Sequence, residues 1–110
     1  FWATWCIPCK KELPDLSLLK SKIKKYNIDV LTISIDKKDI NDQLKFLSNN
    51  GASNLNHFFD KEMEIFKALK LRGVPTTIIV DKNGYVISKH EGILKWGEDE
   101  VINKIKSLFY

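Results

Sequence analysis

The sequence predicts an α/β protein in which helices flank a central mixed β-sheet. Segments with apolar residues at three- and four-residue intervals, typical of helices, alternate with short β-branched runs, typical of strands. Two of these runs are joined by Asn83-Gly84, a dipeptide that favours an antiparallel hairpin. A chain of 110 residues has the length of one domain, so we expect residues 1–110 to share a single core.

The first elements are a strand end and a long helix. Residues 1–3 are apolar and look like the last residues of a strand whose first part is truncated or missing. We therefore expect this chain to be the C-terminal part of a longer protein with an export signal or anchor further upstream. After Cys6, apolar residues at helical spacing predict an amphipathic helix of roughly 20 residues. They are Ile7, Leu13, Leu16, Leu19, Ile23 and Tyr26.

The middle of the chain predicts two further strands and two further helices. Residues 28–35 are rich in β-branched residues and read as a strand covered on both faces. Residues 39–49 carry helical apolar spacing, and residues 55–59 form a short apolar run that predicts a strand. Asp60 is the predicted N-cap of the next helix, which we expect to end at Gly73.

The C-terminal third predicts the hairpin and a closing helix. The runs over residues 76–81 and 85–90 should pair antiparallel through the Asn-Gly turn. Residues 92–97 read as a loop, in which Trp96 has no role that the sequence assigns. One apolar face then predicts the last helix, with Val101, Ile102, Ile105 and Leu108 or Phe109.

The charge distribution argues against nucleic acid as a partner. Eighteen Lys and Arg residues face fourteen Asp and Glu residues, and residues 1–26 carry the whole net charge of +4. This basic stripe is short and contains only lysines, because the single arginine is Arg72. Phosphate binders usually combine a longer stripe with several arginines and stacking aromatic residues. The apolar runs are also shorter than the roughly 20 residues of a membrane span.

Cys6 and Cys9, at the start of the first helix, carry the strongest chemical signal. A disulfide between residues so close in sequence closes too short a loop to add much stability, so the pair points to chemistry. Unpaired N–H groups and the helix dipole favour a thiolate at the first turn, where Pro8 costs no hydrogen bond. The pattern predicts that Cys6 attacks a substrate disulfide and that Cys9 resolves the mixed disulfide.

Three motifs resemble one branch of a known superfamily. Residues 1–14, FWATWCIPCKKELP, look like the active-site segment of the TlpA/ResA branch of the thioredoxin superfamily. Residues 73–77, GVPTT, followed by VDKNGYV at 80–86, resemble its second signature. Residues 39–49 and 55–59 match the helix-strand insertion of this branch. The resemblance implies a thioredoxin-like fold and an extracytoplasmic, membrane-anchored thiol-disulfide oxidoreductase, which we expect to act as a reductase.

The resemblance also implies roles for particular residues. Cys6 and Cys9 match the redox-active disulfide, and Glu12 matches a glutamate that can accept a proton one helical turn from Cys9. Pro75 matches a cis-proline, which would leave the Val74 backbone free to pair with a substrate chain. The residues expected to bind substrate are Trp5, which would also shield the attacking sulfur, Ile7, Pro8, Val74, Pro75 and Thr76.

The expected partners follow from the same resemblance. They are proteins with disulfides or thiols, with apocytochrome c in cytochrome c maturation as one candidate, and a membrane dithiol donor that resets the pair. The chain is expected to be a monomer with no bound cofactor and no metal.

Several alternatives stay open at this point. The cysteines could form half of a zinc site, although His57 and His90 stand alone and no second ligand pair is present. A Sco-like copper metallochaperone would share the fold but uses a wider cysteine spacing and a histidine. A non-catalytic binding module could instead dock its basic helix on an anionic membrane surface. Glu12 could also be a solvated helix residue paired with a lysine.

Overall fold

The order of helices and strands agrees with the sequence prediction. The structure, a computed structural model, describes residues 1–110. Its helices are α1 (Ile7–Ile23), α2 (Ile40–Asn49), α3 (Glu64–Ala68) and α4 (Asp99–Phe109), and a 3-10 turn at Lys24–Tyr26 follows α1. Its strands are β1 (Leu31–Ser34), β2 (Asn56–Phe59), β3 (Thr76–Val80) and β4 (Val86–Glu91). None of the helices combines the length and apolar character needed to cross a membrane.

The strands form two ladders that are joined by the first residues of the chain. β1 pairs with β2 in parallel, and β3 pairs with β4 antiparallel, as the hairpin motif predicts. Trp2 donates its N–H to Ile33 O at 3.1 Å and accepts from Ile35 N at 3.0 Å. On the other side, the Phe1 nitrogen donates to Thr76 O at 2.8 Å. The spatial order is therefore β2-β1, then residues 1–3, then β3-β4, with only a short segment at the centre.

Beyond this junction, β1 and β3 line an open cavity of about 990 Å³. Most of its lining residues are apolar, among them Ile33 on β1 and Ile78 on β3. Cys9 and Glu12 of α1 and Trp96 also line it. The second cysteine and the carboxylate therefore border the same space as the interior of the sheet.

Helix α1 contributes to both clusters of the hydrophobic core. The first core cluster surrounds the cysteines and contains Trp2, Ala3, Cys6, Cys9, Leu13, Ile35, Leu47, Ala52, Leu55 and Phe66. The second core cluster, which joins the C-terminal half of α1 to α4, contains Leu19, Ile23, Trp96, Ile102 and Ile105. Because α1 is buried in both clusters, its first turn is held rigidly against the rest of the molecule.

Strand β1 differs from the prediction of a strand covered on both faces. Its buried residues are Thr32 and Ser34, whereas Leu31 is 53% exposed. The Thr32 hydroxyl lies 2.7 Å from His57 Nδ1, and the Ser34 hydroxyl donates to Gln43 on α2. These hydrogen bonds offset the cost of burying two polar side chains, so burial does not follow apolar character here.

Helix α3 is shorter than predicted, and Asp60 is not its N-cap. The helix ends at Ala68, and its N-cap is Met63, whose φ of 58° is left-handed. Asp60 lies before the cap, where its buried carboxylate accepts a hydrogen bond of 2.9 Å from Phe66 N. Its side chain still satisfies one of the free N–H groups at the start of the helix.

Candidate redox site

The two cysteines occupy the N-terminus of α1. Cys6 is the N-cap residue, with φ −92° and ψ 104°, and its sulfur accepts a hydrogen bond of 3.3 Å from Cys9 N. Pro8 stands in the first turn, which contains no acidic residue. The free N–H groups and the positive end of the helix dipole therefore act on the Cys6 sulfur without a nearby opposing carboxylate in that turn. This environment stabilises a thiolate at Cys6.

Cys6 and Cys9 form a disulfide, with 5.3 Å between their Cα atoms. Both residues are nearly buried in the first core cluster, with 5% of Cys6 and 2% of Cys9 exposed. By contrast, the neighbouring Trp5 and Ile7 are 67% and 68% exposed. The buried disulfide is thus flanked in sequence by two exposed apolar side chains.

Asp36, which directly follows the β1 region, holds the turn that leads into Cys6. Its Oδ2 accepts hydrogen bonds from the Thr4 hydroxyl and from Thr4 N, the latter at 2.8 Å, and its Oδ1 accepts from Lys38 N at 2.9 Å. Burial raises the pKa of Asp36, but the hydrogen bonds from Thr4 and Lys38 hold it below its ordinary value. Asp36 was not among the residues the sequence singles out, although its place after a strand was visible.

The segment at residues 74–76 contains the predicted cis-proline, since the Val74–Pro75 peptide bond is cis. Neither the N–H nor the C=O of Val74 makes a hydrogen bond in the structure, whereas Pro75 O accepts from Gly92 N at 2.9 Å. Thr76 is 2% exposed, its backbone pairs with Phe1, and its hydroxyl donates to Gly73 O. Val74 is therefore the residue of this segment with free backbone groups, and Thr76 faces the interior.

The cysteine turn and the Pro75 segment share two cavities. Cys9 and Pro75 both line the cavity between β1 and β3. Trp5 and Val74 line a second, open cavity of about 430 Å³, together with Met63 and Phe66. The two predicted parts of the site, more than 60 residues apart in sequence, are therefore neighbours in the fold.

Glu12 is buried, so the alternative of a solvated residue paired with a lysine is wrong. Only 2% of the side chain is exposed. Its Oε1 accepts a hydrogen bond of 2.7 Å from Trp96 Nε1, while its Oε2 has no hydrogen-bond partner. Burial raises the pKa of Glu12 to about 7, although the hydrogen bond from Trp96 opposes this rise. A carboxyl with such a pKa exchanges a proton near neutral pH.

Trp96 is the site residue for which the sequence offered no assignment. It is 2% exposed and packs in the second core cluster. Its partner Glu12 lies 84 residues away, so no local spacing could link them. The one available signal was a tryptophan in a predicted loop, because a buried indole N–H requires an acceptor.

Both histidines make packing or polar contacts with neighbouring side chains. His57 Nδ1 contacts the Thr32 hydroxyl, and the His90 ring meets Trp96 edge to face, with 5.9 Å between centroids. No group of three or more His, Cys, Asp or Glu side chains is placed to hold a metal ion.

The fold and the site together define a class of protein. The site combines a C-x-x-C disulfide at the start of a helix with a neighbouring cis-proline segment, in a fold that has a parallel and an antiparallel strand pair. This is the arrangement of a thioredoxin-fold protein with a dithiol/disulfide centre. A family model described as thioredoxin-like matches residues 1–86. The chain belongs to this thioredoxin-like family, as its motifs predict.

Relatives of established name match most of the chain. A protein named thiol-disulfide oxidoreductase ResA from Bacillus thuringiensis subsp. konkukian is 33% identical over 92 residues, which cover 84% of this chain and 52% of the relative. The protein of the same name from Halalkalibacterium halodurans is 27% identical over 92 residues, 84% of this chain and 51% of the relative. The chain thus spans about half the length of the curated relatives it matches.

Solved structures confirm the predicted thioredoxin-like fold. A crystal structure from Chlorobium tepidum, described as a thiol:disulfide interchange protein of the DsbE type, superposes with a TM-score of 0.87 at 27% identity. The alignment covers 100% of this chain and 77% of that one. StoA from Bacillus subtilis gives a TM-score of 0.75 at 21% identity, covering 100% of this chain and 78% of its own, and this likeness concerns the fold alone.

Proposed function

We propose that residues 1–110 form one thioredoxin-like domain of a thiol-disulfide oxidoreductase that reduces protein disulfides through Cys6 and Cys9. The observation that carries this proposal is the disulfide between these residues at the N-terminus of α1. The names of the ResA relatives support it, because they describe the same chemistry. Reduction is the direction we assign by resemblance to the TlpA/ResA branch.

In the first step, the reduced Cys6 thiolate attacks one sulfur of a substrate disulfide. The substrate S–S bond breaks, a Cys6–substrate disulfide forms, and the released substrate thiolate takes a proton. The free N–H groups of the first turn of α1 stabilise the attacking thiolate, and Cys9 N already donates to the Cys6 sulfur at 3.3 Å.

In the second step, Cys9 resolves the mixed disulfide. The Cys9 thiol gives its proton to the Glu12 carboxylate, and the resulting thiolate attacks the Cys6 sulfur. The Cys6–Cys9 bond forms and the second substrate thiolate leaves, so that two electrons have passed from the protein to the substrate. A dithiol donor must then reduce Cys6–Cys9 to restore the starting state.

The substrate chain is proposed to lie along the Val74–Pro75 segment. The unpaired N–H and C=O of Val74 can hydrogen-bond with an extended chain, as in a short added strand. Trp5 and Ile7 supply exposed apolar contacts, and the adjacent Pro8 is exposed as well. Thr76 is buried and supports the Val74–Pro75 segment indirectly, because its backbone oxygen accepts a hydrogen bond from the Phe1 nitrogen.

We also propose the setting that the TlpA/ResA resemblance implies. The whole protein would work outside the cytoplasm as a membrane-anchored monomer, with a membrane dithiol donor as its reductant. Its substrates would be proteins with disulfides, apocytochrome c among them. An apocytochrome peptide containing an internal disulfide tests that assignment directly, because a protein inactive on it but active on insulin would have another substrate.

Insulin reduction with a dithiol reductant tests the activity. The wild-type chain should accelerate the reaction, Cys6→Ser should abolish this acceleration, and Cys9→Ser should accumulate a mixed disulfide visible by mass spectrometry. Ser21→Ala is the matched control, because Ser21 is exposed on the distal half of α1 and bonds only its own helix. Full activity of Cys6→Ser would overturn the proposal.

The direction of electron flow has its own measurement. Reduction potentials of C-x-x-C proteins span about 150 mV, which separates reductants from oxidants. Equilibration of the Cys6–Cys9 pair with glutathione buffers should give a potential in the reducing part of this range. A strongly oxidising value would reverse the proposed role while leaving the exchange chemistry intact.

A further inference from the structure

Trp96 is a buried polar side chain that the proposed function does not use. Its indole Nε1 donates a hydrogen bond of 2.7 Å to Glu12 Oε1 across 84 residues of sequence. The bond joins the loop before α4 to the first half of α1. Both side chains are 2% exposed, so water does not compete for this bond.

The loop that carries Trp96 is fastened to α1 by further contacts. Lys22 Nζ donates to Gly97 O at 3.0 Å and forms an ion pair with Asp99 at 3.6 Å. A Cβ at position 97 would lie 2.7 Å from Leu18 Cδ2, which shows how closely the loop approaches the helix. Because the indole also packs in the second core cluster, its N–H has one fixed direction.

We propose that Trp96 is a positioning residue, which orients the Glu12 carboxylate to receive the proton of Cys9 during resolution of the mixed disulfide. This inference rests on the proposed oxidoreductase function. By occupying Oε1, the indole leaves Oε2 as the carboxylate oxygen without a partner. Cys9 lies one helical turn before Glu12 and lines the same cavity as Glu12 and Trp96.

In this step, the Glu12 carboxylate has to accept the proton that Cys9 releases. The Cys9 S–H bond breaks, and its proton passes to the Glu12 carboxylate. The Cys9 thiolate then forms the Cys6–Cys9 bond while the Cys6–substrate bond breaks and the substrate sulfur leaves with the electron pair. Without the indole N–H, the carboxylate loses its one donated hydrogen bond from a side chain and holds its own proton more tightly.

Few other charges face Glu12. Asp15, on the same helix, raises the pKa of Glu12. The backbone of Leu94 in the Trp96 loop lowers this pKa, and His90 of β4 contacts the indole edge to face. The Trp96 hydrogen bond is the largest of the contributions that lower this pKa, so its removal should be measurable.

Stopped-flow reaction of the reduced chain with the disulfide of thionitrobenzoate isolates the step. Attack by Cys6 releases the first thionitrobenzoate, and resolution by Cys9 releases the second in an intramolecular phase. For the wild type, we expect the rate of the second phase to rise with pH around the pKa of Glu12. Trp96→Phe should move the midpoint of this phase up by about one pH unit and therefore slow it about fivefold at neutral pH. The first phase should keep its rate.

Two variants separate positioning from packing. Glu12→Gln should remove the pH step, and Trp96→Phe added to Glu12→Gln should change the second phase no further. Ile102→Val is the matched control, because it weakens the same core cluster without touching the hydrogen bond, and its midpoint should equal that of the wild type.

The outcomes distinguish this inference from the function on which it rests. A Trp96→Phe protein whose second phase keeps the wild-type midpoint, or shifts as Ile102→Val does, overturns the positioning role while two thionitrobenzoates per chain still support the oxidoreductase. Release of only one thionitrobenzoate by the wild type would instead contradict the proposed function itself.

Discussion

At the scale of single residues, burial gives Glu12 a measurable effect on stability. The pKa of Glu12 is raised from 4.5 to about 7, so the folded protein keeps a proton that the unfolded chain releases at lower pH. Stability should therefore fall as pH rises from about 4.5 to about 7, by about 3 kcal/mol, and then level off. Glu12→Gln cannot ionise and should lose this dependence. Urea unfolding of the oxidised proteins from about pH 4 to about pH 8 measures the difference.

Glu62→Gln serves as the control for this measurement. Glu62 is an exposed carboxylate, so its replacement should leave the pH dependence of the wild type in place. If the free energy of unfolding of the wild type and of Glu12→Gln changed with pH in the same way, the Glu12 carboxylate would have the same pKa in the folded and unfolded chains. That result would contradict the predicted effect of burial on this pKa.

Residue-level prediction from sequence succeeds where one short motif carries the chemistry. The pairing of Cys6 with Cys9 follows from their spacing at a helix start, and the family pattern pointed to Glu12. The partners of these residues could not be predicted in the same way. Asp36 and Trp96 reach the site through hydrogen bonds across 32 and 84 residues, which depend on how the elements pack.

At the scale of elements, Asp36 couples the end of β1 to the turn before α1. It accepts hydrogen bonds from Thr4 and Lys38 and is 6% exposed. Asp36→Ala should lower the free energy of unfolding by about 2–3 kcal/mol, because it leaves buried donors unpaired. It should also slow the first thionitrobenzoate phase, since Thr4 positions the chain just ahead of Cys6.

Asp39→Ala is the matched comparison for this prediction. Asp39 caps α2 through hydrogen bonds to the backbone of Asn41 and Asp42, away from the cysteines. Its loss should cost about 1 kcal/mol and leave the first phase unchanged. If both variants slowed the first phase equally, the effect would come from general destabilisation and not from the loss of the hydrogen bonds between Asp36 and Thr4.

Elements with regular apolar spacing were predictable, and those shaped by long-range contacts were not. The ends of α2 follow from Asp39 and the Asn-Gly stop, and the hairpin follows from Asn83-Gly84. The start of α3 depends on the left-handed Met63, and the burial of β1 depends on partners for Thr32 and Ser34. No local pattern encodes these contacts.

At the scale of the whole molecule, the sequence predicts both the mixed sheet and its short central strand. The alternation of helices and strands implies a sheet, and the apolar residues 1–3 imply a strand end at its centre. Cys9, Glu12 and Trp96 all line the cavity of about 990 Å³. The spacing of the motif linked Cys9 to Glu12, but no sequence pattern placed Trp96 beside them.

The net charge of +4 lies on the helix that begins at the cysteines and on the turn that follows it. Lys10 and Lys11 are exposed in its first half, whereas Lys24 and Lys25 are exposed just beyond its other end. Lys24 follows Lys10 by 14 residues, which corresponds to a rise of about 21 Å along the helix axis and is more than twice the screening length at physiological salt. Lysines near Cys9 should therefore attract an acidic substrate toward the disulfide, and the distant pair should not.

This charge placement predicts how salt affects the reaction. The rate with a glutamate-rich disulfide peptide should fall about fivefold between about 20 mM and about 500 mM salt. Replacing Lys10 and Lys11 with glutamine should remove most of this dependence, because the attraction acts within a screening length of Cys6. Replacing Lys24 and Lys25 with glutamine changes the net charge by the same amount and should leave the salt dependence of the rate in place. The same salt dependence in all three proteins would mean that net charge, and not its location beside the cysteines, governs association.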